Sequence, residues 1–295
     1  MKNAKTTLAL VLSCVALILA AWSVFHSSGT SVQKASVYDR IMKDRTIRCA
    51  YQPWPPFLAK DPNTGEISGV YADIFKQIGQ DLNLKIDWVE EVGSANTFEG
   101  YTTGRYDMLC SPITSTPQRA LVSGFVRPFG YLPYYAYVRE GDPRFDNAYD
   151  KMDNESITMM GLDGDFTSIV ANEEFPKAKK VNLPNMMNGA DLLTSLASGK
   201  ADVVINDPSI ADVFMKTNSG KVRRVEGPPV RFLAVSISLP LGEERLRELM
   251  NQTVTHYLDV GKIDKILNSY DLDETKILRI APPYRDPSAK GKGAE

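Results

Sequence analysis

Ser111-Pro112-Ile113-Thr114-Ser115-Thr116-Pro117-Gln118-Arg119, followed by Phe125-Val126-Arg127-Pro128-Phe129, is the stretch on which the fold turns. It begins where residues 106–110, Tyr-Asp-Met-Leu-Cys, end a predicted strand. Ligands of α/β sheets bind beyond the carboxyl ends of strands. An Arg held there by a following helix can grip a carboxylate with two parallel hydrogen bonds. Thr114 supplies a hydroxyl and a backbone N–H in the same place. Each charge-assisted bond to a desolvated carboxylate contributes about 1.5–3 kcal/mol. The competing reading leaves Arg119 on a helix surface, in a solvated ion pair of little energetic consequence.

Strands and helices alternate on both sides of this stretch. Upstream, residues 38–44 read as a short helix leading into a strand at 46–51. The loop Gln52-Pro53-Trp54-Pro55-Pro56-Phe57 must be extended, because proline excludes helix and restricts the residue before it. Asp61-Pro62-Asn63-Thr64-Gly65 has hairpin-turn chemistry. Over residues 69–84, Val70, Ile74, Phe75, Ile78 and Leu82 fall on one helical face. A strand at 85–89, a helix at 97–103 and the strand at 106–110 complete a first α/β unit. Alternation from 156 to 214 gives a second unit. Two β-rich stretches without helical period, 129–138 and 230–239, separate and follow it, and helical patterns at 243–257 and 261–269 close the chain. Two crossings between two α/β units predict a chain that leaves one lobe, builds the other and returns. Such a pair of strands is a hinge.

The quoted stretch closely resembles the carboxylate-gripping motif of family 3 extracellular solute-binding proteins and of the related ionotropic glutamate receptor ligand-binding cores. Pro112, Thr114, Thr116, Arg119, Phe125, Pro128 and Phe129 all fall on that pattern. The likeness extends over nearly the whole body. It includes the opening strand and loop from Ile47-Arg48 to Pro56-Phe57, Gly69-Val70-Tyr71-Ala72-Asp73-Ile74 and Gly104-Arg105-Tyr106-Asp107. It also includes Leu196-Ala197-Ser198-Gly199-Lys200-Ala201-Asp202 with Ile205-Asn206-Asp207. The resemblance implies an α/β, two-lobed, type II periplasmic-binding fold: residues 43–130 and 231–284 in lobe 1, residues 131–230 in lobe 2. It implies an amino acid bound between the lobes and passed to an ABC transporter permease. It also implies that Thr114 and Arg119 hold the ligand carboxylate, that the Pro112 carbonyl lies near the ammonium, and that Asp207 binds the ammonium.

An acid in one lobe facing an Arg in the other gives each lobe one end of a zwitterion, which couples closure to binding. Asp207 has a second reading as a helix N-cap, because Pro208 suits a first helical position. Trp54 matches an aromatic that packs on the ligand side chain, and a Trp between prolines can form a stacking platform; packing within its own loop is the alternative. Where the family has a small-residue turn, this chain has Gly161-Leu162-Asp163-Gly164-Asp165-Phe166-Thr167. Asp165 either caps the next helix or, like Asp163, faces the cleft and favours a cationic ligand. Phe166, if it fills the cleft, alters the pocket. Cys49 and Cys110 are expected as two buried thiols, since disulfide geometry is demanding and their strands would be parallel neighbours.

The N-terminus gives the compartment. Lys2 and Lys5 precede an uncharged apolar run at residues 6–25. About 20 such residues can cross a bilayer. The run ends Trp22-Ser23-Val24-Phe25-His26, without a small-x-small cleavage site, and Trp suits a membrane interface. Residues 1–26 therefore read as an uncleaved anchor rather than a cleaved signal peptide, with the remainder in the periplasm. Cys14 reads as an ordinary apolar residue of that helix. Residues 27–42 read as a tether and 285–295 as a disordered tail. With a net charge of -2 over 295 residues, there is no electrostatic case for nucleic acid. No metal-ligand spacing or nucleophile-plus-base pair is present, so no cofactor and no catalysis are expected. Two alternatives stand: a cyclohexadienyl-dehydratase-like enzyme on the same fold, and a sensing module for a separate membrane partner.

Overall fold

The computed structural model describes residues 36–273 and 275–280, together with Trp22. Helix α1, Val37–Asp44, buries Ile41 and leads into strand β1, Thr46–Tyr51. A small hairpin follows, β2 at Ala59–Lys60 and β3 at Ile67–Ser68. Its turn is built as expected, with the Asp61 carboxylate accepting from the Asn63 and Thr64 amides at 2.8 and 2.9 Å. Helix α2, Val70–Leu82, buries Val70, Tyr71, Ile74, Phe75 and Ile78 against the sheet, the face the periodicity marks. Strand β4 spans Lys85–Glu91, α3 spans Glu99–Thr103 and β5 spans Met108–Ile113. β1 lies between β4 and β5 and runs parallel to both.

After the short helix α4, Pro117–Ala120, and strand β6, Ser123–Phe125, the chain enters β7, Gly130–Arg139. The first half of β7 pairs antiparallel with the strand that later returns; its second half belongs to the other lobe. That lobe holds β8 at Thr158–Leu162, α5 at Phe166–Glu174, β9 at Lys179–Leu183 and α6 at Gly189–Ala197. It is completed by β10 at Val203–Asn206, α7 at Pro208–Thr217 and β11 at Val222–Arg224. Strand β12, Arg231–Pro240, returns to lobe 1, followed by α8, Glu244–Asp259, α9, Lys262–Ser269, and β13, Leu278–Arg279.

The strand order is β4-β1-β5-β12-β7-β10-β8-β9. Each lobe is thus a mostly parallel sheet, and the two are joined where Gly130–Tyr134 of β7 pairs with Arg231–Val235 of β12. These are the two crossings read from the sequence. Lobe 2 has its own core around Leu192, Leu193, Leu196 and Phe214.

Two expectations are corrected. Cys49 and Cys110 form a disulfide, with Cα atoms 5.4 Å apart. The strands are parallel neighbours as expected. Cys49 pairs in register with Met108, and Cys110 stands two residues further on, so both side chains point to one buried face. The tether boundary at 42 is also displaced. α1 packs Ile41 into the core, and the Arg40 guanidinium pairs with the fully buried Asp107, so the folded body begins at Val37. Among the described residues no helix is long and apolar enough to cross a membrane. The expected anchor, Trp22 apart, and the expected tail lie outside the described residues.

Candidate functional site

Three segments converge beyond the carboxyl ends of β5, β8 and β10. From lobe 1, the chain after β5 turns into α4 with Thr116 as N-cap, its hydroxyl accepting from the Arg119 amide at 3.2 Å. Thr114 is buried and donates its hydroxyl to the Ala234 carbonyl. The Arg119 guanidinium donates to the Thr114 carbonyl at 3.0 Å and, across the cleft, to the Gly164 carbonyl at 3.0 Å. Burial draws the Arg119 pKa below its usual value, against the Asp165 carboxylate, which acts the other way.

From lobe 2, Asp165 caps α5, accepting from the Thr167 amide at 3.0 Å. Asp163 is exposed. Phe166 is only 5% exposed and sets its ring 5.3 Å from that of Tyr134, which reaches in from the crossing strand. Trp54 meets Tyr134 edge to face, with ring centroids 6.5 Å apart. Asp207 is fully buried and divides its oxygens. Oδ1 caps α7, accepting from the Ser209 and Ile210 amides at 2.9 and 3.2 Å and from the Ser209 hydroxyl. Oδ2 accepts the Trp54 indole N–H, across the cleft, at 3.1 Å. Burial pushes the Asp207 carboxyl up. Burial also holds the Tyr134 phenol well above its usual pKa, reinforced by the Asp207 and Asp165 carboxylates. This end of the cleft is therefore negative and dry, a place for a cation.

The lobes also meet where the Ser94 amide donates to the Asn185 carbonyl at 3.3 Å. At Gly164 a Cβ would lie 2.7 Å from the Ala95 Cα, so only glycine allows this approach, and its φ of +70° is the left-handed conformation that glycine favours. Beyond these contacts lies a cavity of about 690 Å³, walled by Trp54, Tyr134, Asp165, Asn185 and one face of α7.

The residue set read from the sequence is thus split. Trp54 and Asp165 line the cavity. Phe166 does not fill the cleft: it is buried against Tyr134 and lies outside the cavity lining. The N-cap reading of Asp207 is what Oδ1 does, while Oδ2 turns to the cleft side and holds the Trp54 indole N–H. Pro112, Thr114, Arg119 and Asp207 stand beside the cavity rather than in its lining. Sequence reasoning missed Tyr134, whose side chain turns into the cleft from a hinge strand, and the Asn185-Met186-Met187-Asn188 loop. A pair of methionines in a polar loop was the available signal for the latter.

The family described as bacterial extracellular solute-binding proteins, family 3, matches residues 47–273. The chain belongs to this family. The ABC transporter glutamine-binding protein GlnH of Bacillus subtilis is 23% identical to this family 3 protein over 218 residues, which cover 72% of this chain and 76% of that relative. Among solved structures, the ancestral amino-acid-binding protein AncCDT-1, a precursor of cyclohexadienyl dehydratase, superposes with a TM-score of 0.69 at 23% identity. That match covers 80% of this chain and 99% of the other. The cysteine-binding protein of Campylobacter jejuni superposes at 0.70 with 16% identity, over 83% and 100% of the two chains. At these identities the two structures establish the two-lobed fold.

Proposed function

We propose that this family 3 protein captures an amino acid, or a close analogue, between its lobes in the periplasm and hands it to an ABC-type permease. The observation that carries this reading is the opposition of Arg119 and Asp207. One is a half-buried cation of lobe 1, the other a buried carboxylate of lobe 2, and each already holds an atom of the opposite lobe. Opening the hinge leaves both without those partners. A zwitterion restores both at once, its carboxylate on Arg119 and the Thr114 amide, its ammonium on Asp207 Oδ2. A ligand with both charges takes the place of both cross-cleft partners as the lobes close over it. The names of the relatives support a transport role, and the apolar run at residues 6–25 supports tethering to the inner membrane.

The test is a thermal-shift and calorimetric screen of the twenty L-amino acids and prephenate, on the parent and on Arg119→Ala. Saturating ligand, at a hundred times its dissociation constant, stabilises by about 2.7 kcal/mol. Arg119→Ala should fold and lose that shift. Unchanged affinity in this variant would remove the carboxylate clamp. Turnover of prephenate would replace the binding role with a catalytic one.

A further inference from the structure

The cavity extends well past the space that the charged ends of an amino acid need. α7 contributes Ser209, Ile210, Val213 and Thr217 to its wall, positions that share one helical face over two turns. At about 1.5 Å per residue that wall is roughly 12 Å long. The backbone of a single amino acid reaches about 3.5 Å. The length does not come from a gaping cleft, because the lobes already touch through Arg119–Gly164, Trp54–Asp207 and Ser94–Asn185.

The walls of this extension are mostly apolar. Ile210 and Val213 line it together with Pro53, Pro55 and Leu272 of lobe 1 and Met186 of lobe 2. Val213 is 62% and Met186 63% exposed, although large apolar side chains gain by burial. Methionine adapts its shape to what it covers. Of the charged residues along these walls, Glu91 is paired with Lys60 at 2.9 Å and Lys216 and Lys276 offset Asp212 and Asp271, so the extension selects no net charge.

We infer that this cleft selects an amino acid carrying a long apolar extension on its side chain, a substituted or conjugated amino acid rather than a small one. The extension lies along α7 and covers Ile210, Val213 and Met186, while the charged ends stay at Arg119 and Asp207. The inference rests on the amino-acid reading above and sharpens it.

Calorimetry on the full chain with L-alanine, L-norleucine and S-hexyl-L-cysteine tests it. Affinity should rise along the series, by about tenfold or more from the first to the last. Val213→Trp narrows the extension from an exposed position, where the fold tolerates it, and should shrink that ratio to about threefold or less. If alanine binds as tightly as S-hexyl-L-cysteine, or if Val213→Trp leaves the ratio intact, the extended site is wrong while the amino-acid reading survives. If no amino acid of any length binds, the amino-acid reading falls and takes the inference with it.

Discussion

Replacing Asp207 separates two roles that one side chain performs. Oδ1 caps α7 through the Ser209 and Ile210 amides, and Oδ2 takes the Trp54 indole N–H. Asn keeps a capping oxygen and is as good an N-cap as Asp. It removes the negative charge, whose burial already pushes the carboxyl up. Asp207→Asn should therefore leave stability within about 0.5 kcal/mol, since the lost bond to Trp54 is offset by relief of a buried charge. Ligand binding should suffer far more. A charge-assisted bond to an ammonium contributes about 1.5–3 kcal/mol, so the dissociation constant should rise roughly 10- to 150-fold. Asp207→Ala loses the cap as well, about 1 kcal/mol, and strands the Trp54 N–H for about as much again. Urea denaturation should place it about 2 kcal/mol below the parent. Calorimetry with the tightest amino acid from the screen supplies the binding side. Binding unchanged in Asp207→Asn, with stability lost only in Asp207→Ala, would show that the residue is a helix cap and nothing more.

The raised Asp207 carboxyl also sets a pH dependence. An acid raised in the folded state contributes its stability below the unfolded value, near 3.9, and loses it as pH rises through the folded value. Ammonium binding needs the ionised form, so affinity should fall as the solution is acidified from neutral, sooner than for an unshifted carboxyl, and Asp207→Asn should abolish that slope. Gly164→Ala puts a Cβ 2.7 Å from the Ala95 Cα and strains a left-handed residue; small-angle scattering should show a more open particle with ligand, and the dissociation constant should rise about tenfold. A compact liganded profile would refute the close approach. The Cys49–Cys110 bond closes a loop with a sequence separation of 61. Its removal as a double Ala variant should cost about 4 kcal/mol by chain entropy, read as a lower urea midpoint. An unchanged midpoint would contradict the bond.

The order of elements was legible because the chain alternates two periodicities, and the positions of Val70, Ile74, Phe75 and Ile78 leave one choice of buried face for α2. The two crossings were legible from the β-rich stretches that lack helical spacing. Arg119 and Asp207 could be named because they fall on the family's pattern, and Asp165 because it departs from the family's small-residue turn. What they touch could not. The Arg119–Gly164 and Trp54–Asp207 bonds join residues 45 and 153 positions apart, and their existence depends on how far the hinge closes. The disulfide escaped for a similar reason, since its geometry follows from the register of β1 on β5, which no local pattern specifies. Tyr134 was hidden because an alternating strand leaves open which of its faces meets the cleft.

The crossing strands give the molecule a further property, exchangeability. Everything between Tyr134 and Arg231 is an insert in lobe 1, entering and leaving through adjacent strands of one ribbon. Arg119, the proposed carboxylate clamp, lies outside that insert, while Asp207 and the α7 wall lie within it. On the proposed reading, grafting the insert from a relative would change which side chains are accepted while Arg119 stayed in place, so the two halves of the recognition could diversify independently.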